Sequence, residues 1–232
     1  MTRITVEMIR NALEFINPLN QRELDLRGNK VPQIENLGST NDLYEVIDLS
    51  DNIISRLENI PHLTRLTTLF LNNNKITRIA PNLGESTPNL ISLTLTNNRL
   101  SELADIEPLA GIPSLVYLSL VGNPVQKKAH YRQFLISKLP SLRVLDFKKV
   151  KKYEKEEAIK LFQSSQGRAL DEVIVQKSKS NTFVPGEEVQ EEKDQTFTAE
   201  EKEKISKAIL NAKSSEELNR LEELLQKKKV PK

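Results

Sequence analysis

A chain of 232 residues with 34 Lys+Arg against 32 Asp+Glu carries a formal charge of only +2, too little to imply nucleic-acid binding by overall charge alone. It has no cysteine and no tryptophan, which excludes a disulfide framework and points to an intracellular protein. The N-terminus has no apolar run long enough for a signal peptide, and no later run could span a bilayer.

In chain order, residues 1–22 read as an N-terminal cap helix. Thr5 is its N-cap, Val6, Ile9, Ala12, Leu13 and Ile16 form its apolar stripe, and Asn17-Pro18 stops it. Over residues 23–126 one phrase then returns five times: Leu24, Leu26, Asn29, Val31; Ile47, Leu49, Asn52, Ile54; Leu69, Leu71, Asn74, Ile76; Leu93, Leu95, Asn98, Leu100; Leu118, Leu120, Asn123, Val125. Its asparagines are spaced by 23, 22, 24 and 25 residues. That period and pattern define a leucine-rich repeat. In each copy the two apolar side chains share one face of a short strand, and stacking buries that face in a continuous core beneath a parallel sheet. The expected fold is therefore an α/β leucine-rich repeat solenoid with a parallel concave sheet. Asn29, Asn52, Asn74, Asn98 and Asn123 are expected to form a structural ladder, their amides satisfying turn backbone removed from water. The returning segments on the convex side, such as Leu57-Glu58-Asn59-Ile60 and Leu103-Ala104-Asp105-Ile106, read as short helical turns.

Residues 127–177 read as a C-terminal cap. Tyr131, Phe134, Leu135 and Leu139 have helical spacing, and residues 142–147 form a last strand. Residues 142–152 hold five positive side chains and one negative, a net +4. A helix over 154–163 has Ala158, Ile159, Leu161 and Phe162 as its apolar set, and a short one covers 168–176. Residues 178–197 are polar and acidic and read as a linker. Capping boxes at Thr198/Glu201 and Ser214/Glu217 open a small C-terminal helical hairpin over 198–228, too small to fold alone and expected to dock on another protein.

No catalytic constellation emerges. His62 and His130 lie in different repeats, and there is no phosphate-binding loop, nucleophile elbow or metal-ligand spacing, so neither an enzyme, a cofactor nor a small-molecule substrate is expected. The concave face remains. Alternation turns Glu23, Asp25, Arg27, Val46, Asp48, Ser50, Phe70, Asn72, Thr94, Tyr117, Ser119 and their neighbours outward. Six strands at ~4.8 Å make a trough of roughly 25 Å, wide enough for a ligand helix. The expected partner-binding set is Glu23, Asp25, Arg27, Asp48, Phe70, Asn72, Thr94 and Tyr117. Lysines 148, 149, 151 and 152 fit a solvated face, a nuclear-localisation signal or an edge that contacts phosphates.

The block from Arg22 to Gly38, the turns Leu95-Thr96-Asn97-Asn98-Arg99-Leu100 and Leu120-Val121-Gly122-Asn123-Pro124-Val125, and the cap from His130 through Asp146-Phe147 to Lys151 closely resemble the U2 small nuclear ribonucleoprotein A-prime family over roughly residues 1–177. The resemblance implies a nuclear, non-catalytic spliceosome component. Its concave face would grip a helix of an RNA-recognition-motif partner of the B-double-prime type, and the pair would hold a U2 RNA stem-loop. By position it makes Glu23, Asp25, Arg27, Asp48, Phe70 and Tyr117 candidates for the partner helix, and Lys149, Lys151 and Lys152 candidates for RNA backbone. Other spliceosomal proteins would meet the hairpin at 198–228. The alternative is a repeat adaptor that regulates a phosphatase or a cytoskeletal protein through the same trough.

Overall fold

The computed structural model describes residues 3–180. The linker beyond residue 180 and the hairpin read over 198–228 lie outside the described residues. Helix α1 (Val6–Asn11) starts at Thr5, whose hydroxyl accepts from the Met8 N–H at 3.0 Å, and it buries Ile9. It ends earlier than its apolar spacing implies. Leu13–Ile16 is strand β1, antiparallel to β2 (Arg22–Asp25). The first repeat's strand has an outer row of unpaired N–H and C=O groups, and a strand satisfies them where a helix cannot. Asn17 shapes the connecting turn by accepting from the Leu19 and Gln21 N–H groups, both at 3.0 Å.

The repeats follow. β3 (Val46–Asp48) leads to β4 (Arg56–Leu57), β5 (Thr68–Phe70), β6 (Arg78–Ile79), α2 (Leu83–Ser86), β7 (Ser92–Thr94), α3 (Leu103–Ile106) and β8 (Tyr117–Ser119). Strands β2, β3, β5, β7 and β8 are parallel neighbours, with Leu24, Ile47, Leu69, Leu93 and Leu118 in one buried register column. The convex side is not uniformly helical. β4 and β6 form a second, two-stranded parallel sheet with Leu57 and Ile79 facing the core, so the second repeat returns through a strand instead of a helical turn, and the third through a strand followed by the short helix α2.

The asparagines occupy the predicted turns. In each inner copy the amide nitrogen donates to carbonyls of its own and the preceding repeat, while the amide oxygen accepts from the preceding repeat. Asn98 donates to Leu71 at 2.9 Å and Leu95 at 3.0 Å and accepts from the Ile76 N–H at 3.0 Å. Asn52, Asn74 and Asn123 repeat this arrangement, and all four are buried. Among the described residues Asn29 bonds only within its own turn, to Leu26 and Arg27, because no repeat precedes it. The residue before each asparagine (Gly28, Asp51, Asn73, Asn97 and Gly122) has a positive φ, which explains the glycine, asparagine or aspartate there.

Close backbone packing fixes one further position. A Cβ on Gly84 of α2 would lie 1.8 Å from the Gly111 carbonyl oxygen of the next convex turn. Gly84→Ala is therefore expected to cost roughly 3 kcal/mol through forced separation of the two turns. A thermal melt coinciding with that of the parent would show that this approach is dispensable.

The cap comprises α4 (Tyr131–Lys138), β9 (Val144–Leu145), β10 (Lys148–Lys149), α5 (Lys152–Gln163) and α6 (Ser165–Ser180). β9 continues the parallel sheet beside β8, and β10 turns back antiparallel against β9. The sheet thus has eight strands instead of six, with an antiparallel strand at each edge. Phe134 of α4 meets Phe162 of α5 edge to face, with ring centroids 5.8 Å apart, and Ala158 is fully buried. Ile159, expected in the apolar set, points to solvent. α6 extends beyond the expected 168–176 at both ends.

Candidate partner-binding face and basic edge

Register places the concave side chains in two rows. Phe15, Glu23, Val46, Thr68, Ser92, Tyr117, Val144 and Lys149 make one; Leu13, Asp25, Asp48, Phe70, Thr94 and Ser119 make the other. Lys149 therefore shares the concave face with Tyr117, and the two candidate sets form one continuous surface. Leu13 and Phe15, on the unexpected strand β1, lengthen the face at the acidic end and are 63% and 37% exposed. They were hidden because their spacing also fits a helix. The readable signal was the two-residue alternation of Leu13-Glu14-Phe15-Ile16 before an Asn-Pro turn.

Not every outward position is open. Val46, Ser50 and Ser119 are buried, because inward curvature crowds neighbouring side chains on a concave sheet. Asn72 is engaged in local structure: its amide donates to the Ser50 hydroxyl at 3.4 Å and accepts from the Thr96 N–H at 3.2 Å. The Thr94 hydroxyl is buried with no hydrogen-bond partner among the described residues. Phe70 is half-buried, whereas Tyr117 is 49% exposed.

The acidic end is partly neutralised from within. The Arg27 guanidinium meets Asp25 through two contacts, Nε to Oδ1 at 3.0 Å and Nη2 to Oδ2 at 2.5 Å, and lies 3.7 Å from Asp48 Oδ2. Hydrogen bonds from Arg27 hold the Asp25 carboxyl below its ordinary range, and Asp25 in turn holds Arg27 in its charged form. Arg27 thus serves Asp25 first. Among the described residues Asp48 accepts only the Ser50 N–H at 2.8 Å and that longer guanidinium contact, so it retains more capacity than Asp25 for a cationic ligand. Glu23 accepts from the Asn17 amide at 3.1 Å.

The basic edge rests on a fixed base. Arg132 makes a two-pronged pair with Glu154 at 2.7 and 3.1 Å and donates to the carbonyls of Leu145 at 3.4 Å and Lys149 at 3.3 Å, tying β9 and β10 to α5. Glu154 also accepts from the Lys151 N–H at 2.8 Å. Hydrogen bonds from Arg132 hold the Glu154 carboxyl below its usual value of 4.5. A depressed carboxyl stabilises the fold above its unfolded pKa and loses that contribution as pH falls through the folded pKa. Glu154→Gln should therefore be less stable at neutral pH and show a shallower loss of stability on acidification below about pH 4.5. Parallel stability–pH curves for the two proteins would remove Glu154 from that role.

Lys149 lies on β10, Lys151 immediately precedes α5, and Lys152 is its first residue. All three are exposed, and the Lys151 ammonium sits 5.6 Å from the Tyr153 ring centroid. Of the two histidines, His62 bonds the Glu85 carbonyl at 2.9 Å, and His130 immediately precedes α4. Among the described residues no group of three or more His, Cys, Asp or Glu side chains could hold a metal ion.

A family model described as leucine-rich repeat matches residues 1–175. The chain is 49% identical over its whole length to the U2 small nuclear ribonucleoprotein A′ of Arabidopsis thaliana, covering 93% of that protein. It is 46% identical to the human protein of the same name, again over its whole length and over 90% of that protein. Its fold matches a chain in the crystal structure of the Drosophila melanogaster SNF/U2A′ complex with a TM-score of 0.71 and 49% identity, covering 75% of this chain and 99% of that one. The repeats, the two caps and these likenesses converge: the chain belongs to the U2 small nuclear ribonucleoprotein A′ family, leucine-rich repeat components of the spliceosome.

Proposed function

We propose that this U2 small nuclear ribonucleoprotein component works in the nucleus as a clamp. Its concave face holds a helix of an RNA-recognition-motif protein of the B-double-prime type, and its C-terminal edge touches the backbone of a U2 RNA stem-loop. The observation that carries the reading is the continuous row running from acidic Glu23, past Tyr117, to Lys149. Eight strands span roughly 34 Å, the length of about 22 helical residues. A helix laid there would place cationic side chains over Asp48 and apolar ones against Phe70 and Tyr117, with Leu13 and Phe15 beyond. The Drosophila relative solved as the SNF/U2A′ complex supports a protein partner for this fold.

The lysines favour a ligand as well. Cations at the N-terminus of α5 oppose its macrodipole, so Lys151 and Lys152 gain nothing from the helix itself. Beside Lys149 they suit phosphate oxygens, giving salt-sensitive affinity without base readout. Capture from nuclear extract on the full chain, with and without ribonuclease, tests the clamp. The expected result is an RNA-recognition-motif protein in both samples and U2 RNA only in the untreated one. Recovery of a phosphatase instead, or loss of the protein partner with ribonuclease, overturns the protein-first order.

A further inference from the structure

Asp146 and Phe147 form the two-residue turn between β9 and β10, with φ of 51° and 61°. A tight turn with both central residues in the left-handed region favours asparagine, aspartate and glycine, whereas a bulky aromatic there is strained. Aspartate is explained by its bonds: its carboxylate accepts from the Leu120 N–H at 2.8 Å, the Gln126 amide at 2.9 Å and the Tyr131 hydroxyl at 3.0 Å. Phenylalanine has no such compensation. Its side chain is 76% exposed, the most open aromatic ring named here, and packing does not account for it. Strain kept without a packing return marks a functional position.

Its surroundings specify the chemistry. Lys148, Lys149, Lys151 and Lys152 follow within five residues, all exposed, and Tyr153 is 54% exposed beside them. A protein-docking patch would surround an anchor ring with apolar area, and lysine is depleted from the centre of such interfaces. An aromatic face set among cations is instead the arrangement that binds unpaired nucleotides, the ring stacking on a base and the ammonium groups meeting phosphates. The Arg132 clamp fixes the hairpin that carries the ring, so little conformational freedom is lost on stacking.

We infer that Phe147 is a stacking platform for an unpaired RNA base, in a loop or beside a stem, whose flanking phosphates lie on Lys149 and Lys151. This rests on the reading of the basic edge as an RNA contact and adds to it a preference for unpaired over fully paired RNA.

The test is fluorescence anisotropy at low ionic strength with the full chain, using a hairpin RNA with a single-stranded loop and a blunt duplex of the same stem, over a salt series. Phe147→Ala should weaken hairpin binding about tenfold, leave duplex binding unchanged and preserve the salt slope. Phe147→Tyr should retain affinity. Lys149→Ala with Lys151→Ala should weaken both RNAs and reduce the salt slope by about two. Phe147→Gly, which suits the backbone, should melt no lower than the parent and still lose the hairpin preference, separating binding from folding. Ultraviolet crosslinking should attach the loop nucleotide to the peptide containing Phe147. If Phe147→Ala binds the hairpin as the parent does while the lysine variant fails, the platform is overturned and the basic edge stands. If the parent binds neither RNA, or the lysine variant binds both normally, both readings fall.

Discussion

Asn98→Ala is expected to lower the folding free energy by about 3 kcal/mol, measured by urea or thermal unfolding. The substitution leaves the buried Ile76 N–H without its acceptor and removes one of two amide donors from each of the Leu71 and Leu95 carbonyls, which keep Asn74 at 3.2 Å and Asn123 at 2.8 Å. A buried N–H left without a partner costs roughly 1–3 kcal/mol, and the cavity and the two half-served carbonyls add to it. Asn29→Ala is the internal control. Its amide makes only local bonds at a half-buried turn, so its loss should cost no more than about 1 kcal/mol. Asn98→Asp keeps the acceptor for Ile76 but replaces the donor with buried negative charge, and should be at least as damaging as alanine. Equal effects at positions 29 and 98 would show that the ladder between repeats contributes nothing beyond ordinary turn bonding.

Asp48→Lys combined with Phe70→Ala is expected to reduce capture of the partner helix by about a thousandfold, equivalent to roughly 4 kcal/mol, with the fold retained. The first change reverses a carboxylate that Arg27 neutralises less closely than it does Asp25; the second removes an aromatic contact one strand away in the same row. The structural cost is the Ser50 N–H bond, about 1 kcal/mol, the 3.7 Å contact to Arg27, and partial loss of packing at a half-buried ring. Surface plasmon resonance against the RNA-recognition-motif partner reads the affinity, and circular dichroism reads the fold. Ser92→Ala on the same face should change neither by more than about 0.5 kcal/mol. Full affinity in the double variant would place the partner on another surface.

The central solenoid was legible because its signals repeat. The leucine alternation and the asparagine spacing specify the buried columns, the turns and most of the concave positions, and each copy corroborates the others. What was illegible depends on neighbours distant in sequence. Leu13 and Ile16 fit a helical stripe locally; only the open side of β2 makes a strand there. Lys148 and Lys149 have poor strand propensity, and they pair because β9 offers them an edge and Arg132 binds the carbonyls on both sides of the turn. The burial of Val46, Ser50 and Ser119 reflects sheet curvature, which alternation does not encode. Phe147 read as the apolar end of a strand, since neither of its turn residues is glycine.

The antiparallel strands at the two ends of the sheet also decide how the molecule relates to copies of itself. A stack of similar parallel repeats has faces that could accept another stack in the same direction, and such head-to-tail contacts propagate without closure into filaments. β1 and β10 each reverse the chain direction at an end, and by pairing antiparallel they occupy the outer hydrogen-bonding rows of β2 and β9 within the chain itself. At one end Lys148 and Lys149 place two ammonium groups on the edge strand, which disfavours pairing with a further strand. The parallel repeats are thereby covered at both ends by strands of the same chain.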